Sequence, residues 1–353
     1  MIRETKIGSG QLFALLYLCR MLTTVTFSPL LGDGLLNGDF TLNIVFALVF
    51  ILVLCIPSAL FYKRFPECTP VSVTDKKTSD ALSVFYVFLF LFSASVSVSR
   101  FFIFLTSVIY PEKEMGLFLV VAVLVCCYCA YLGIEALFRG NVILLCITAF
   151  GVAVILYTVA GKIDIYNFEP LLFHPLTDSV KSGFLAAART VEIPAFLFLA
   201  EKTRGKIKKA FIIAFSVFAV NLFILFFFLN GVSGEFAETQ LFPFYSLAVI
   251  AKFPFFERLD AVITAVWIFS ILIKCSVFIN ISREQLKRFS FMNNKRSLGF
   301  CFISVCALSL IFSYNLGIHK AVSSPYIFIV LTVLGSVVIP LVEVIKNKRI
   351  LRI

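Results

Sequence analysis

The chain is a series of apolar stretches, each close to the length that a helix needs to cross a lipid bilayer. A spanning helix requires about 20 mostly apolar residues. Ten segments qualify, approximately 10–31, 40–62, 81–109, 115–135, 141–160, 179–200, 209–230, 257–279, 297–314 and 323–345. Unpaired backbone groups are not tolerated in hydrocarbon, so these spans are expected to be helices. The sequence predicts an all-α polytopic membrane protein, with a single integral membrane domain over residues 1–353.

Composition and charge agree with a membrane protein. Of the 353 residues, 60% are hydrophobic and only 14% are charged, which is too apolar for a soluble globule. The net charge of +11 could indicate nucleic-acid binding, but the basic residues are unevenly placed. With a cytoplasmic N-terminus, the predicted inner segments hold 21 Lys and Arg and the outer segments hold five. This bias predicts a multi-pass membrane protein with both termini cytoplasmic, in contact with membrane lipids and without a nucleic-acid partner.

The spans divide into two halves that are interrupted at corresponding places. The segment 161–178 separates a first set of five spans, about 10–160, from a second set, about 179–345. Span 1 carries Pro29 and span 6 carries Pro194. Broken helices in matching positions of a repeated membrane fold indicate a binding site near the midplane. A proline kink without a role in ligand binding is the alternative.

Charged residues near the middle of the same two spans support a polar site. Arg20 and Arg189 lie roughly ten residues from either end, and an uncompensated charge there costs at least about 2.5 kcal/mol. Glu192 could pair with Arg189 within one helix. The excess of arginine over glutamate at this depth predicts a carboxylate ligand or a file of water. The candidate ligand-binding residues are Arg20, Thr23, Thr24, Ser97, Arg100, Arg189, Thr190 and Glu192.

The polar stripe of span 3 has two interpretations. Ser93, Ser97 and Arg100 have the spacing of one helical face. The serines could permit close helix packing while Arg100 snorkels outward. Alternatively, the stripe forms one wall of a polar cavity.

Span 8 carries a second stripe, formed by Asp260, Thr264, Trp267 and Lys274. Asp260, Trp267 and Lys274 are candidates for a coupling or structural role. Lys274 could instead snorkel to the cytoplasmic side, and Asp260 could cap its helix.

Other chemistry is not expected. The ten cysteines lie mostly within spans and form no CxxC pair, and His174 and His319 are isolated in predicted outer loops. Neither a metal site nor a cofactor is therefore predicted. The sequence contains no recognisable pair of nucleophile and base and no phosphate-binding loop, so an enzyme is not expected.

The approach to span 8 reads LFPFYSLAVIAKFPFFERLDAVITAVWIFSILIK and resembles the spore germination permease family, the B-type subunits of endospore nutrient germinant receptors. The resemblance is carried by Pro243, Ser246, Leu247, Phe255, Glu257, Arg258, Asp260, Trp267 and Ile268. KIGSGQLFALLYLCRMLTTVTFSP at the N-terminus and SRFFIFLTSVIYPE at the end of span 3 also fit the family.

The resemblance implies the fold of the amino acid–polyamine–organocation superfamily. This is a leucine-transporter-type inverted repeat of five plus five spans, with spans 1 and 6 broken. It further implies a small nutrient ligand, such as an amino acid, held between spans 1, 3, 6, 8 and 10. The expected partners are an A-type membrane subunit and a C-type lipoprotein, in the spore inner membrane.

Three functions are compatible with these features. The first is a subunit of a spore germinant receptor, in which a bound nutrient shifts a two-state equilibrium and triggers germination. The second is a proton-coupled permease for an amino acid or another small solute, with Glu192 or Lys274 as the titrating group. The third is a structural scaffold with a vestigial cavity.

Overall fold

The computed structural model describes residues 7–31, 33, 40–109, 116–169, 175–251 and 259–346, with the backbone alone at positions 40, 41, 188, 259, 260, 262 and 263. The helices are α1 (Ser9–Val25), α2 (Phe40–Arg64), α3 (Lys76–Phe104), α4 (Gly116–Leu132), α5 (Ile134–Val159), α6 (Leu176–Ala188), α7 (Glu192–Leu199), α8 (Ile207–Ser233), α9 (Pro243–Ile250), α10 (Leu259–Leu286), α11 (Asn294–Tyr314), α12 (Leu316–Val322), α13 (Pro325–Val333) and α14 (Ile339–Lys346). Two short strands, β1 (Ile7–Gly8) and β2 (Thr203–Arg204), pair in parallel.

The helices coincide with the ten predicted spans. Within the described ranges, eight helical stretches are long and apolar enough to cross a membrane. The two other spans are shorter helices of 17 residues, α1 and α4. The prediction of an all-helical, multi-pass membrane protein is therefore confirmed. The exact limits of the two repeats stay a prediction.

Span 1 is broken where its proline requires it. A proline ring clashes with the carbonyl four residues earlier, and for Pro29 that residue is Val25. The helix α1 ends at Val25, and a 3₁₀ turn at Pro29–Leu31 follows three non-helical residues. The break predicted near Pro29 is confirmed.

Span 6 is broken in the same manner. The helix α6 ends at Ala188 and α7 begins at Glu192, so Arg189 and Thr190 lie in the interruption. Pro194 is the third residue of α7, in the first helical turn, where a backbone amide is not needed as a donor. The break predicted around Thr190 is confirmed.

The helices pack in two sets. One set contains α1, α2, α6, α7 and α8, and the other contains α3, α4, α10 and α11. The helix α2 lies along α6 and α8, and α1 lies along α8. The helix α10 lies along α3 and α4, and α11 packs on α3. Pairing of β1 with β2 joins the start of span 1 to the end of span 6. The two broken spans are therefore linked at one end of the molecule, and their breaks face α3 and α10.

Candidate ligand site at the helix breaks

Arg20 connects the two broken spans directly. Its Nη1 donates to the carbonyl of Arg189 at 3.0 Å and its Nη2 to the carbonyl of Ala186 at 3.5 Å. These carbonyls belong to the C-terminal end of α6, where a helix has unpaired acceptors and a partial negative charge. The guanidinium also lies over the ring of Phe218, 5.2 Å from its centroid. Arg20 is 5% exposed, so its side chain is buried within the protein.

Lys274 joins span 8 to both breaks. Its Nζ lies 2.7 Å from Glu192 Oε1 and 2.6 Å from Thr23 Oγ1. The Lys274 and Glu192 side chains are 6% and 1% exposed. The snorkelling interpretation of Lys274 is therefore wrong, because the ammonium group faces the protein interior. Glu192, for which the sequence suggested a partner within its own helix, forms this ion pair with another span.

Asp33 lies between two arginines. The guanidinium of Arg100 binds its carboxylate in a bidentate manner, with Nη1 at 2.6 Å from Oδ2 and Nη2 at 3.0 Å from Oδ1. Arg189 also forms an ion pair with Asp33. The backbone N–H of Ser28 donates to the same carboxylate at 2.8 Å, and Arg100 donates to the carbonyl of Thr26. Arg100 is thus buried against Asp33, and the snorkelling alternative is wrong.

Asp33 was not among the site residues predicted from the sequence. It lies two positions beyond the predicted end of span 1 at Leu31, and therefore outside the spans in which polar residues were sought. The sequence contained a signal nonetheless, because three arginines deep within the spans outnumber the one glutamate at that depth, which indicates a missing acidic partner. A search for acidic residues within one turn of a span end would have found Asp33.

A buried histidine extends the same network. Arg189 donates to the carbonyl of Ser323, whose hydroxyl lies 2.9 Å from His319 Nε2. The Nδ1 of His319 lies 3.0 Å from Ser99 Oγ. The prediction that His319 is isolated in an outer loop is wrong, because the residue is fully buried. His174 lies outside the described residues.

Two cavities adjoin the breaks. The first, of about 50 Å³, lies between spans 1, 3, 6, 8 and 10. The second, of about 80 Å³, lies between spans 1, 2, 6 and 7. One water occupies about 10–15 Å³ on this measure, so each cavity holds a few waters or a small polar ligand. The first is lined by the predicted residues Thr23, Ser97, Arg100, Arg189 and Lys274, and the second by Arg20, Thr23, Thr24 and Arg189.

Other predicted residues lie beside the cavities or away from them. Thr190 is fully buried in the break, and its hydroxyl donates to the carbonyl of Ala187. Trp267 packs edge-on against Phe104, with ring centroids 4.1 Å apart, and lines a separate small cavity. The side chain of Asp260 lies outside the described residues, as do Phe255, Glu257 and Arg258. The role of each of these residues in ligand binding stays a prediction.

Among the residues that the structure describes, the side chains at the breaks include four cations and two carboxylates. The cations are Arg20, Arg100, Arg189 and Lys274, and the carboxylates are those of Asp33 and Glu192. Hydrogen bonds to the released carbonyls of α6 compensate part of the charge of Arg20. Such an arrangement favours a bound anion. In the described part of the chain, no group of three His, Cys, Asp or Glu residues could hold a metal ion.

Comparison with known proteins places this geometry in a fold and a family. A solved structure titled as the substrate-bound outward-open state of a Na⁺-coupled sialic acid symporter matches with a TM-score of 0.64. At 12% identity, this match covers 95% of the present chain and 82% of the symporter, and it shows a shared fold of the leucine-transporter type. A comparison with curated protein sequences gave no match. The family model described as spore germination protein matches residues 6–321. Because this match spans most of the chain, the protein belongs to the spore germination permease family, as its eighth-span motif predicted.

Proposed function

We propose that the chain is the membrane subunit of a spore germinant receptor that senses a small, amino-acid-like nutrient near the middle of the bilayer. One observation carries the proposal: two helix breaks meet at a cavity lined by buried cations. The family supplies the biological process, and the cavity supplies a place for the ligand.

The chemistry of the first cavity suits a small zwitterion. Arg100 and Arg189 present guanidinium groups, and a carboxylate is their matching acceptor. Carbonyl oxygens released where a helix stops can accept hydrogen bonds from an ammonium group. The volume of about 50 Å³ favours a ligand of few heavy atoms. A bound ligand would contact spans 1, 3, 6, 8 and 10 at once, and could therefore shift their relative arrangement.

Signalling then needs no passage of the ligand across the membrane. A nutrient that binds one arrangement of the broken spans more tightly shifts the population toward that arrangement. The proposed partners that detect the shift are an A-type membrane subunit and a C-type lipoprotein. The proposed location is the spore inner membrane, with both termini cytoplasmic.

The test is the nutrient response of spores that carry Arg189→Gln or Arg20→Gln in place of the wild-type gene. We expect either change to abolish the response, because each removes a buried cation from the meeting point of the breaks. The matched control is Arg139→Gln, which removes an arginine whose side chain is 73% exposed. A normal response from the Arg189 and Arg20 variants, at normal protein levels, contradicts the proposal.

A proton-coupled permease is the second candidate. It is favoured by the likeness in fold to a symporter and by the buried pair of Glu192 and Lys274, either of which could exchange a proton. Proton-dependent uptake of a labelled amino acid into vesicles, lost in Glu192→Gln, would favour transport. Loss of germination on gene deletion, without an uptake defect, favours the receptor.

A further inference from the structure

The Asp33 carboxylate occupies a position that a ligand carboxylate could fill. Two guanidinium groups converge on it, Arg100 from α3 and Arg189 from the break of span 6. The Asp33 side chain is only 2% exposed. Both oxygens of the carboxylate accept from Arg100, which is the geometry with which arginine binds free carboxylates.

This cluster differs from a simple structural ion pair in two respects. Among the described residues, two cations, Arg100 and Arg189, share the one carboxylate of Asp33. In addition, Arg189 borders both cavities, while Asp33 lines the second and Arg100 the first. The carboxylate therefore lies at the junction of the two spaces in which a ligand has room.

Burial explains why this position cannot stay empty. Two buried guanidinium groups without a counter-ion are strongly destabilised. An anion must therefore be present whether or not a ligand is bound. A ligand that brings its own carboxylate can replace Asp33 without leaving the arginines unpaired.

We infer that Asp33 is an internal substitute for the ligand: it binds Arg100 and Arg189 in the unliganded protein, and a ligand carboxylate must displace it. This inference rests on the proposed function and identifies the ligand class as a small carboxylate. It also means that Asp33 sets the ligand concentration at which the protein responds. If Asp33 holds the site in about nine molecules of ten, its removal lowers the half-maximal ligand concentration about tenfold.

The first experiment uses formate, the smallest carboxylate, with the purified full-length protein in detergent. Asp33→Ala removes the internal carboxylate, and we expect sodium formate to raise its thermal unfolding midpoint by several degrees in a saturable manner, relative to equal sodium chloride. The wild type and Asp178→Ala, which removes an exposed aspartate, should need about tenfold more formate for the same rise in the unfolding midpoint. The double variant Asp33→Ala/Arg189→Gln should lose the effect of formate.

Equal responses of Asp33→Ala and the wild type, or a response that survives Arg189→Gln, overturn the inference. If Asp33→Ala is unfolded after purification, formate is added throughout. Recovery of folded protein by formate but not by chloride then supports the inference, and failure to recover overturns it.

The second experiment measures the nutrient dose response of spores that carry Asp33→Asn. We expect a half-maximal concentration about tenfold below that of the wild type, with Asp178→Asn unchanged. An unchanged or higher value for Asp33→Asn contradicts the inference. The two experiments separate the failure modes, because formate binding tests the site even if the protein has no part in germination.

Discussion

Two ionic clusters lie at the helix breaks, and they differ in composition and in the elements that carry them. In the first, Arg100 and Arg189 share Asp33, which lies two residues after the 3₁₀ turn that follows α1. In the second, one cation, Lys274 of α10, pairs with one anion, Glu192 of α7. The same ammonium group donates a hydrogen bond to the hydroxyl of Thr23. The first joins two cations to one carboxylate that lies outside the described helices, and is therefore suited to exchange its anion. The second connects helices of both sets and is suited to hold the broken spans in place.

The largest effect expected from this comparison is on stability. Glu192→Gln or Lys274→Met leaves one buried charge without its partner, and we expect each to destabilise the protein by about 3–5 kcal/mol. The double variant should recover much of the loss, because no unpaired charge remains. Denaturation in detergent, analysed as a double-mutant cycle, measures this coupling. Additive effects of the two changes would show that the pair does not hold the spans together.

The Asp33 cluster should be less sensitive to the loss of one cation. Arg189→Gln leaves Asp33 paired with Arg100 in a bidentate contact, so we expect a stability loss of only about 1.5–3 kcal/mol, typical of hydrogen bonds to a charged group. Ligand response should nevertheless disappear. Thermal unfolding and germination, measured on the same variant, check this separation. A stability loss as large as that of Glu192→Gln would remove the distinction between the clusters.

A smaller effect is expected for the hydroxyl of Thr23. Thr23→Val keeps the shape of the side chain but removes the acceptor for Lys274, and we expect a loss of about 1 kcal/mol. Thr23→Ser should retain most of the stability, because it keeps the hydroxyl. The free energy of unfolding of the two variants provides the comparison, and equal losses would indicate that only packing is involved.

The smallest effect is expected at the surface. Glu135 and Arg139 form an ion pair four residues apart on α5, with side chains 42% and 73% exposed. Removal of such a pair costs at most about 1 kcal/mol. Arg139→Gln should therefore shift the unfolding midpoint little, and salt should reduce even that shift. A large effect of Arg139→Gln on stability would make this variant unsuitable as the control in the germination test.

The helix breaks could be predicted from sequence because proline acts locally. Pro29 excludes a helical bond to the carbonyl of Val25, and Pro194 excludes one to that of Thr190. The positions of Arg20 and Arg189 near the middle of their spans also predicted that their charges need polar partners. Arg20 donates to the carbonyls at the end of α6, and Arg189 pairs with Asp33.

The pairing of charges across spans could not be predicted in the same way. Lys274 and Glu192 are 82 residues apart, and the sequence does not give the rotation of one span against another. Snorkelling therefore stayed an open alternative for Lys274 and Arg100, whose side chains instead pair with the buried carboxylates of Glu192 and Asp33. Asp33 was missed because span boundaries were placed by apolarity alone, and Asp33 lies two residues beyond the boundary of span 1.

Direct binding tests the central claim, that the cations at the helix breaks hold a small carboxylate ligand. The measurement is equilibrium dialysis of the purified protein against a mixture of labelled amino acids. We predict that the wild type retains label, that Arg189→Gln retains none, and that Asp33→Asn retains more than the wild type at low concentration. Equal retention by the wild type and Arg189→Gln would contradict the account.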